Sequence, residues 1–236
     1  MIAGKLSLPF SQHLLTPWII PYLAWYRFGL QRREITKYRA LDPAAWLKRE
    51  PINGRLELKL RSGRPTILVR LEESYAPYMI GTDDTWADKV LQKLATEFRD
   101  CNLIALCRYQ DQLEKVQEKF GDVFQVPDKV VDGAGLIRHS DVFIGMGGTM
   151  TTEAALIGVP TISAYQGHGL YTERYLRASG LLLKTHNLGR LSQLVRKSLK
   201  PSYRKHCARK AKKVLDSMED PVEKIVKYLV AKENFL

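Results

Sequence analysis

The sequence predicts an α/β fold, a Rossmann-like parallel sheet flanked by helices. Two observations carry that expectation. From Pro65 onward, short β-branched or apolar runs alternate with longer stretches whose apolar residues recur at helical spacing. Such alternation builds a parallel sheet with both faces covered. In addition, residues 141–145 (DVFIG) run directly into further glycines, as a strand does when it delivers a tight turn to the carboxyl edge of a sheet.

Each element follows from local chemistry. Residues 1 to about 60 read as irregular, with prolines at 9, 17, 21, 43 and 51. Asp42 and Pro43 open a short helix through Trp46 and Leu47, since proline suits a first helical turn. Asn53-Gly54 and Ser62-Gly63 mark turns. Residues 66–70 (TILVR) form a buried strand. Residues 83–98 form a helix with Trp86, Val90, Leu91 and Leu94 on one side, and Asp83-Asp84 reads as its cap. A strand follows at 102–107, then a helix at 110–120 that Gly121 ends. Residues 123–126 are extended, and 133–140 form a short helix carrying Leu136 and Ile137. The strand at 141–145 leads through glycines into a helix at 151–157, closed by Gly158 and Pro160. Residues 160–164 are extended, 171–178 helical and 181–183 extended. Helices close the chain at 188–199, 201–218 and 221–232. The expected organisation is a connector or remnant of a preceding domain at 1–60, an α/β domain at 61–200 and basic helices at 201–236.

Hydrophobic residues make up 45% of the chain and charged residues 26%, the balance of a folded domain with a core. Cys101, Cys107 and Cys207 are too scattered for a disulfide framework or a zinc site, so no metal is expected, and a reducing cytoplasm is the simplest setting. The formal charge of +12, from 37 Lys and Arg against 25 Asp and Glu, favours anionic partners. Much of the excess falls late, at Lys197, Lys200, Arg204, Lys205, Arg209, Lys210, Lys212 and Lys213. A solvated helix face is the plain reading, and peripheral contact with an anionic membrane the sharper one. Nucleic acid is not expected, because no recognition motif accompanies the charge. The apolar run 18–30 is interrupted by Pro21 and Arg27 and is too short to span a bilayer.

The chemistry concentrates in residues 145–155 (GMGGTMTTEAA), followed by Gly158-Val159-Pro160. Gly145 ends the strand. Gly147 and Gly148, lacking side chains, let a phosphate approach the backbone amides. Thr149 to Thr152 then form a first helical turn, where free N–H groups and the dipole favour an anion. The hydroxyls of Thr149, Thr151 and Thr152 are able to cap the helix or donate to a phosphate oxygen. Glu153, one turn further in, is suited to accept hydrogen bonds from ribose hydroxyls. A tight turn that needs glycine only for geometry is the plain alternative; the hydroxyl cluster, Glu153 and the Gly158-x-Pro160 ending point instead to a phosphate site. The pattern is not a Walker loop, because no Lys-Ser/Thr pair follows the glycines.

Residues 141–160 (DVFIGMGGTMTTEAALIGVP) resemble the nucleotide-binding motif of GT-B glycosyltransferases, especially relatives of the MurG glycosyltransferase and the UDP-N-acetylglucosamine 2-epimerases. The match is closest to the DUF354 family, whose sequences are similar at 2–10 (IAGKLSLPF), 16–18 (TPW), 37–48 (KYRALDPAAWLK) and 67–76 (ILVRLEESYA). The resemblance implies the C-terminal half of a GT-B fold, with most of the N-terminal, acceptor-binding half lying outside this chain. It implies a UDP-sugar as ligand and no further cofactor, with Gly147, Gly148 and Thr149 on the diphosphate and Glu153 on the ribose. It also implies that the loop after the next strand borders the sugar and diphosphate. Gln166 and His168 are candidates there, and His168 is the one catalytic candidate, with a simple turn residue as its alternative. Arg70, ending the first strand of the domain, points to the same edge and suits a phosphate. Glu72 and Tyr75 are weaker candidates for the cleft wall, as are Tyr171, Arg174 and Tyr175 for the sugar pocket.

The functional expectation is therefore the UDP-sugar-binding half of a GT-B-type glycosyltransferase, completed by an N-terminal partner domain or subunit. The alternatives are a non-catalytic binding module or truncated remnant, and a UDP-sugar 2-epimerase-like enzyme.

Overall fold

The computed structural model describes residues 7–49, 58, 60–73, 85–129, 131–167 and 169–233. The chain forms two units, Met1–Glu50 with Val214–Leu236, and Pro51–Lys213.

The first unit contains a feature that the irregular reading of residues 1–60 did not anticipate. Strand β1 (Leu14–Pro17) and strand β2 (Ile35–Tyr38) pair in parallel, Leu14 opposite Ile35. Between them lies the single-turn helix α1 (Leu23–Tyr26), and the short helix α2 (Ala44–Leu47) follows. Four-residue strands, one ending in proline, leave no period to read, and the partner lies some twenty residues away. Leu8, Trp25, Leu30 and Ile35 form a small core here. The last helix of the chain, Pro221–Glu233, belongs to this unit. Asp220 ahead of it accepts from the amides of Val222 and Glu223 and is bridged by Arg49 at 2.7 Å.

The second unit is the expected α/β layer. In chain order it runs β3 (Thr66–Arg70), α3 (Trp86–Glu97), β4 (Asn102–Leu106), α4 (Gln110–Phe120), β5 (Phe124–Gln125) and α5 (Gly133–Arg138). It continues with β6 (Val142–Gly145), α6 (Thr149–Ile157), β7 (Thr161–Ser163), α7 (Tyr171–Ala178), β8 (Leu182–Lys184), α8 (Leu188–Ser198) and α9 (Pro201–Asp216). The sequence boundary at residue 200 falls inside this unit, which reaches Lys213.

All neighbouring strands of the six-stranded sheet are parallel, in the order β5-β4-β3-β6-β7-β8. Successive residues of each strand face opposite sides. Ile67, Val69, Leu103, Ala105, Val142 and Ile144 pack on one side with Trp86, Val90, Leu91 and Leu94 of α3 and Leu191 and Val195 of α8. Leu68, Ile104 and Phe143 pack on the other with Leu136 and Ile137 of α5 and Ala154 of α6. Each fully buried Leu, Ile or Phe stabilises the layer by about 1.5–3 kcal/mol. Strand starts are tied by polar side chains: Asp141 accepts from the Thr66 amide at 2.6 Å, and the Asn102 side chain bonds the Arg61 and Arg64 carbonyls.

Strand order reverses between β3 and β6. In a parallel sheet that reversal opens a crevice beyond the carboxyl ends of the two strands, because their following connections leave in opposite directions.

Candidate functional site

Arg70 and Gly145, the last residues of β3 and β6, are register partners at this reversal. The edge is pinned by main-chain bonds that continue past the strands: Met146 N–H to Arg70 O at 3.1 Å, and Ala164 N–H to Gly145 O at 2.8 Å. The Arg70 guanidinium is half-buried and donates through Nη1 to Leu106 O at 3.1 Å. Burial, then the charge of Arg108, lowers its pKa, while Glu73 opposes the shift.

Gly147 (φ 106°) and Gly148 (φ 80°, ψ 175°) make the bend into α6. The torsions of Gly148 fall in a region that essentially only glycine occupies, so the sequence requires glycine here for geometry as well as for access. Among the described residues, a Cβ on Gly148 would meet nothing nearer than Glu73 Oε1, at 3.8 Å. The helix begins with no side-chain cap, whereas α5 is capped by Asp132 and α8 by Asn187.

The candidate residues separate into distinct environments. Thr149 is exposed at the start of α6. Thr151 is buried, and its hydroxyl donates back to Gly147 O at 3.1 Å, locking the bend. Gly145 is buried too. A Cβ there would stand 2.1 Å from Thr151 Oγ1 and 2.9 Å from a Phe143 ring carbon, which gives this glycine a packing reason. Thr152 is buried too, and with Gly147, Gly148 and Thr151 it lines a small cavity of about 20 Å³ that Ser163, Tyr165 and Glu173 also border. Glu153 and Gln166 are half-buried, on α6 and on the segment after β7. His168 and Tyr75 lie outside the described residues, as do Asp83 and Asp84. Tyr171 is 40% exposed, with the Arg174 guanidinium over its ring at 5.8 Å.

Three features escaped the sequence reading. Glu73, in the loop after β3, bridges Arg108 after β4 at 3.1 Å. Glu173 of α7 and Lys184 at the end of β8 form a buried ion pair at 2.8 Å, and the Lys184 ammonium also donates to Gly167 O at 3.1 Å, bracing the segment that carries Gln166. Glu72, considered only as cleft wall, has its carboxyl pKa raised, chiefly by burial. Its Oε2 is buried with no hydrogen-bond partner among the described residues. Cys107, beside Arg70 and Glu72, has its thiol pushed up to about 11 by burial, which keeps it un-ionised and a poor nucleophile at neutral pH. Among the described residues no group of three or more His, Cys, Asp or Glu is arranged to hold a metal ion.

The family model described as "Protein of unknown function (DUF354)" matches residues 1–233. The chain belongs to the DUF354 family. The DUF354 chain is 30% identical over 151 residues to an uncharacterised protein of Methanocaldococcus jannaschii, an alignment covering 63% of this chain and 42% of that one. Its fold is similar to the UDP-GlcNAc 2-epimerase of M. jannaschii, solved in complex with UDP-GlcNAc and UDP (TM-score 0.64, 14% identity, covering 98% of this chain and 64% of that one). It is also similar to the glycosyltransferase SnogD from Streptomyces nogalater (TM-score 0.57, 18% identity, 89% and 60% covered). The DUF354 chain thus has the Rossmann-like architecture of GT-B proteins and spans between two-fifths and two-thirds of the length of these relatives.

Proposed function

We propose that this DUF354 chain binds a nucleoside-diphosphate sugar, specifically a UDP-sugar, with its diphosphate at the Gly147–Gly148 bend. The single observation that carries the reading is the position of that bend: a glycine-only turn at the strand-order reversal where parallel sheets bind ligands. The amides at Gly148 and Thr149 and the Thr149 hydroxyl serve the diphosphate, together with the Arg70 guanidinium. Glu153 accepts from the ribose hydroxyls, and Gln166, with His168 by resemblance, borders the sugar. Gly145, Thr151 and Thr152 support the bend from beneath. The nucleotide-bound fold relative of M. jannaschii supports the choice of UDP.

The reaction class we infer is glycosyl transfer in which this chain supplies the nucleotide-sugar wall and a partner domain or subunit supplies the acceptor wall, because positioning two reactants needs groups on both sides. The coverage of its relatives and the two-stranded parallel sheet found among the described residues of the first unit support a partner, since parallel strands ordinarily lie inside larger sheets. The proposed setting is cytoplasmic, with the basic helix α9 available to an anionic membrane surface.

Titration calorimetry with UDP and UDP-N-acetylglucosamine tests the reading. Wild type is expected to show saturable binding of one ligand per chain. Gly148→Ala is expected to destabilise by about 1–3 kcal/mol through its torsions and to bind about tenfold more weakly, a loss of one good phosphate contact. Absence of heat at millimolar ligand, with the protein folded by circular dichroism, would contradict it.

A further inference from the structure

The Glu73 carboxylate faces the bend, and the Arg108 guanidinium is paired with it. Arg108 meets Glu73 through Nη1 to Oε1 at 3.1 Å, their side chains 50% and 31% exposed. Among the described residues the same Oε1 is the nearest atom to the space in front of Gly148, 3.8 Å from where a Cβ would stand. Arg70 lies close enough to feel both charges, Arg108 opposing its protonated form and Glu73 favouring it. The Gln112 side chain holds the two loops in register: its Nε2 donates to Glu72 O at 2.9 Å and its Oε1 accepts from Arg108 N–H at 3.1 Å. Gln112 therefore ties the backbones that carry Glu73 and Arg108, whose side chains are partly exposed.

A partly exposed ion pair contributes only modestly to stability. A diphosphate offers Arg108 more charge than one carboxylate and accepts a guanidinium through two parallel bonds. It also needs the space beside Gly148 that Glu73 now fills.

We propose that Arg108 is a diphosphate-binding residue that Glu73 holds in reserve. The carboxylate occupies the anion position in front of Gly148, and an arriving diphosphate displaces it and takes over the guanidinium. This inference rests on the nucleotide reading of the bend. It assigns Glu73 the role of an internal competitor that screens ligands by charge: a neutral or singly charged group gains too little to displace it.

Calorimetric titration of wild type, Glu73→Gln and Arg108→Gln with UDP and with inorganic pyrophosphate tests the exchange. Glu73→Gln is expected to tighten both ligands by about three- to tenfold, and Arg108→Gln to weaken both by about tenfold, the scale of one charge-assisted contact. Both side chains are partly exposed, and matching thermal unfolding of the three proteins confirms that folding is not the variable. The exchange stands only if both changes appear. If wild type binds UDP and either substitution leaves its dissociation constant within about twofold, the exchange is overturned while the nucleotide reading survives. If no protein of the three takes up either ligand at millimolar concentration, the nucleotide reading falls and the exchange falls with it.

Discussion

Glu72 sits one residue from the exchanging pair and behaves differently, because its carboxyl is buried while that of Glu73 is part-exposed. Burial raises its folded-state pKa above the unfolded value, so the neutral acid is the form the fold favours. The stability this lends is fully present below the ordinary glutamate range and is lost as pH rises through the raised value. Glu72→Gln removes the titration. Its urea midpoint is expected to vary less than that of wild type between about pH 4 and pH 7, and to match or exceed wild type at the upper end. A variant with the wild-type pH slope would show that another carboxyl is responsible. At this scale the sequence disclosed what local spacing encodes. Gly147, Gly148 and Thr149 stand together in the chain and also in space, and Arg70 was placed by counting to the end of its strand. Glu73 and Arg108 come together only because β3 and β4 are neighbours, and no local pattern announces that. The Thr151 hydroxyl, read as able to cap the helix or to donate to a phosphate oxygen, donates to the Gly147 carbonyl one turn back, as threonines in helices often do.

Among the elements, α7 and β8 are joined by the Glu173–Lys184 pair, whose side chains are 9% and 8% exposed. Two charges taken from water need each other, and removing one partner leaves the other buried without compensation. Lys184→Met is expected to cost roughly 3–5 kcal/mol, measured by denaturant unfolding. The double variant Glu173→Gln with Lys184→Met is expected to recover most of that loss. Equal destabilisation of the single and double variants would mean that packing, not charge, matters there. The strands and helices of this layer were legible because each carries its own period or its own stop: the TILVR run gave β3, and Gly121 closed α4. Their ends shifted by a residue or two where hydrogen bonding decides, and α6 begins at Thr149 directly after the Gly148 bend, as the reading of Thr149 to Thr152 as a first helical turn expected. β1 and β2 were not legible, since their pairing is non-local and both are short.

Across the whole molecule, charge and chain coverage matter most. The +12 balance is partly engaged within the fold: Arg204 bridges Asp141 at 2.5 Å, and Lys197 lies over the Tyr203 ring at 4.7 Å. Lys205, Arg209 and Lys213 remain exposed along α9, able to raise the local concentration of phosphorylated ligands or meet an anionic surface. Among the described residues no helix is long and apolar enough to cross a membrane. Fold class was visible from the alternation of strands and helices, whereas the strand order that locates the crevice required the structure. Where UDP settles is the deciding question, and amide chemical shifts of the labelled protein during UDP titration report it directly. The largest changes are expected on the amides of Gly147, Gly148 and Thr149, with Arg70 and Arg108 close behind. Saturable UDP binding whose shifts fall elsewhere, with these amides unmoved, would contradict that placement.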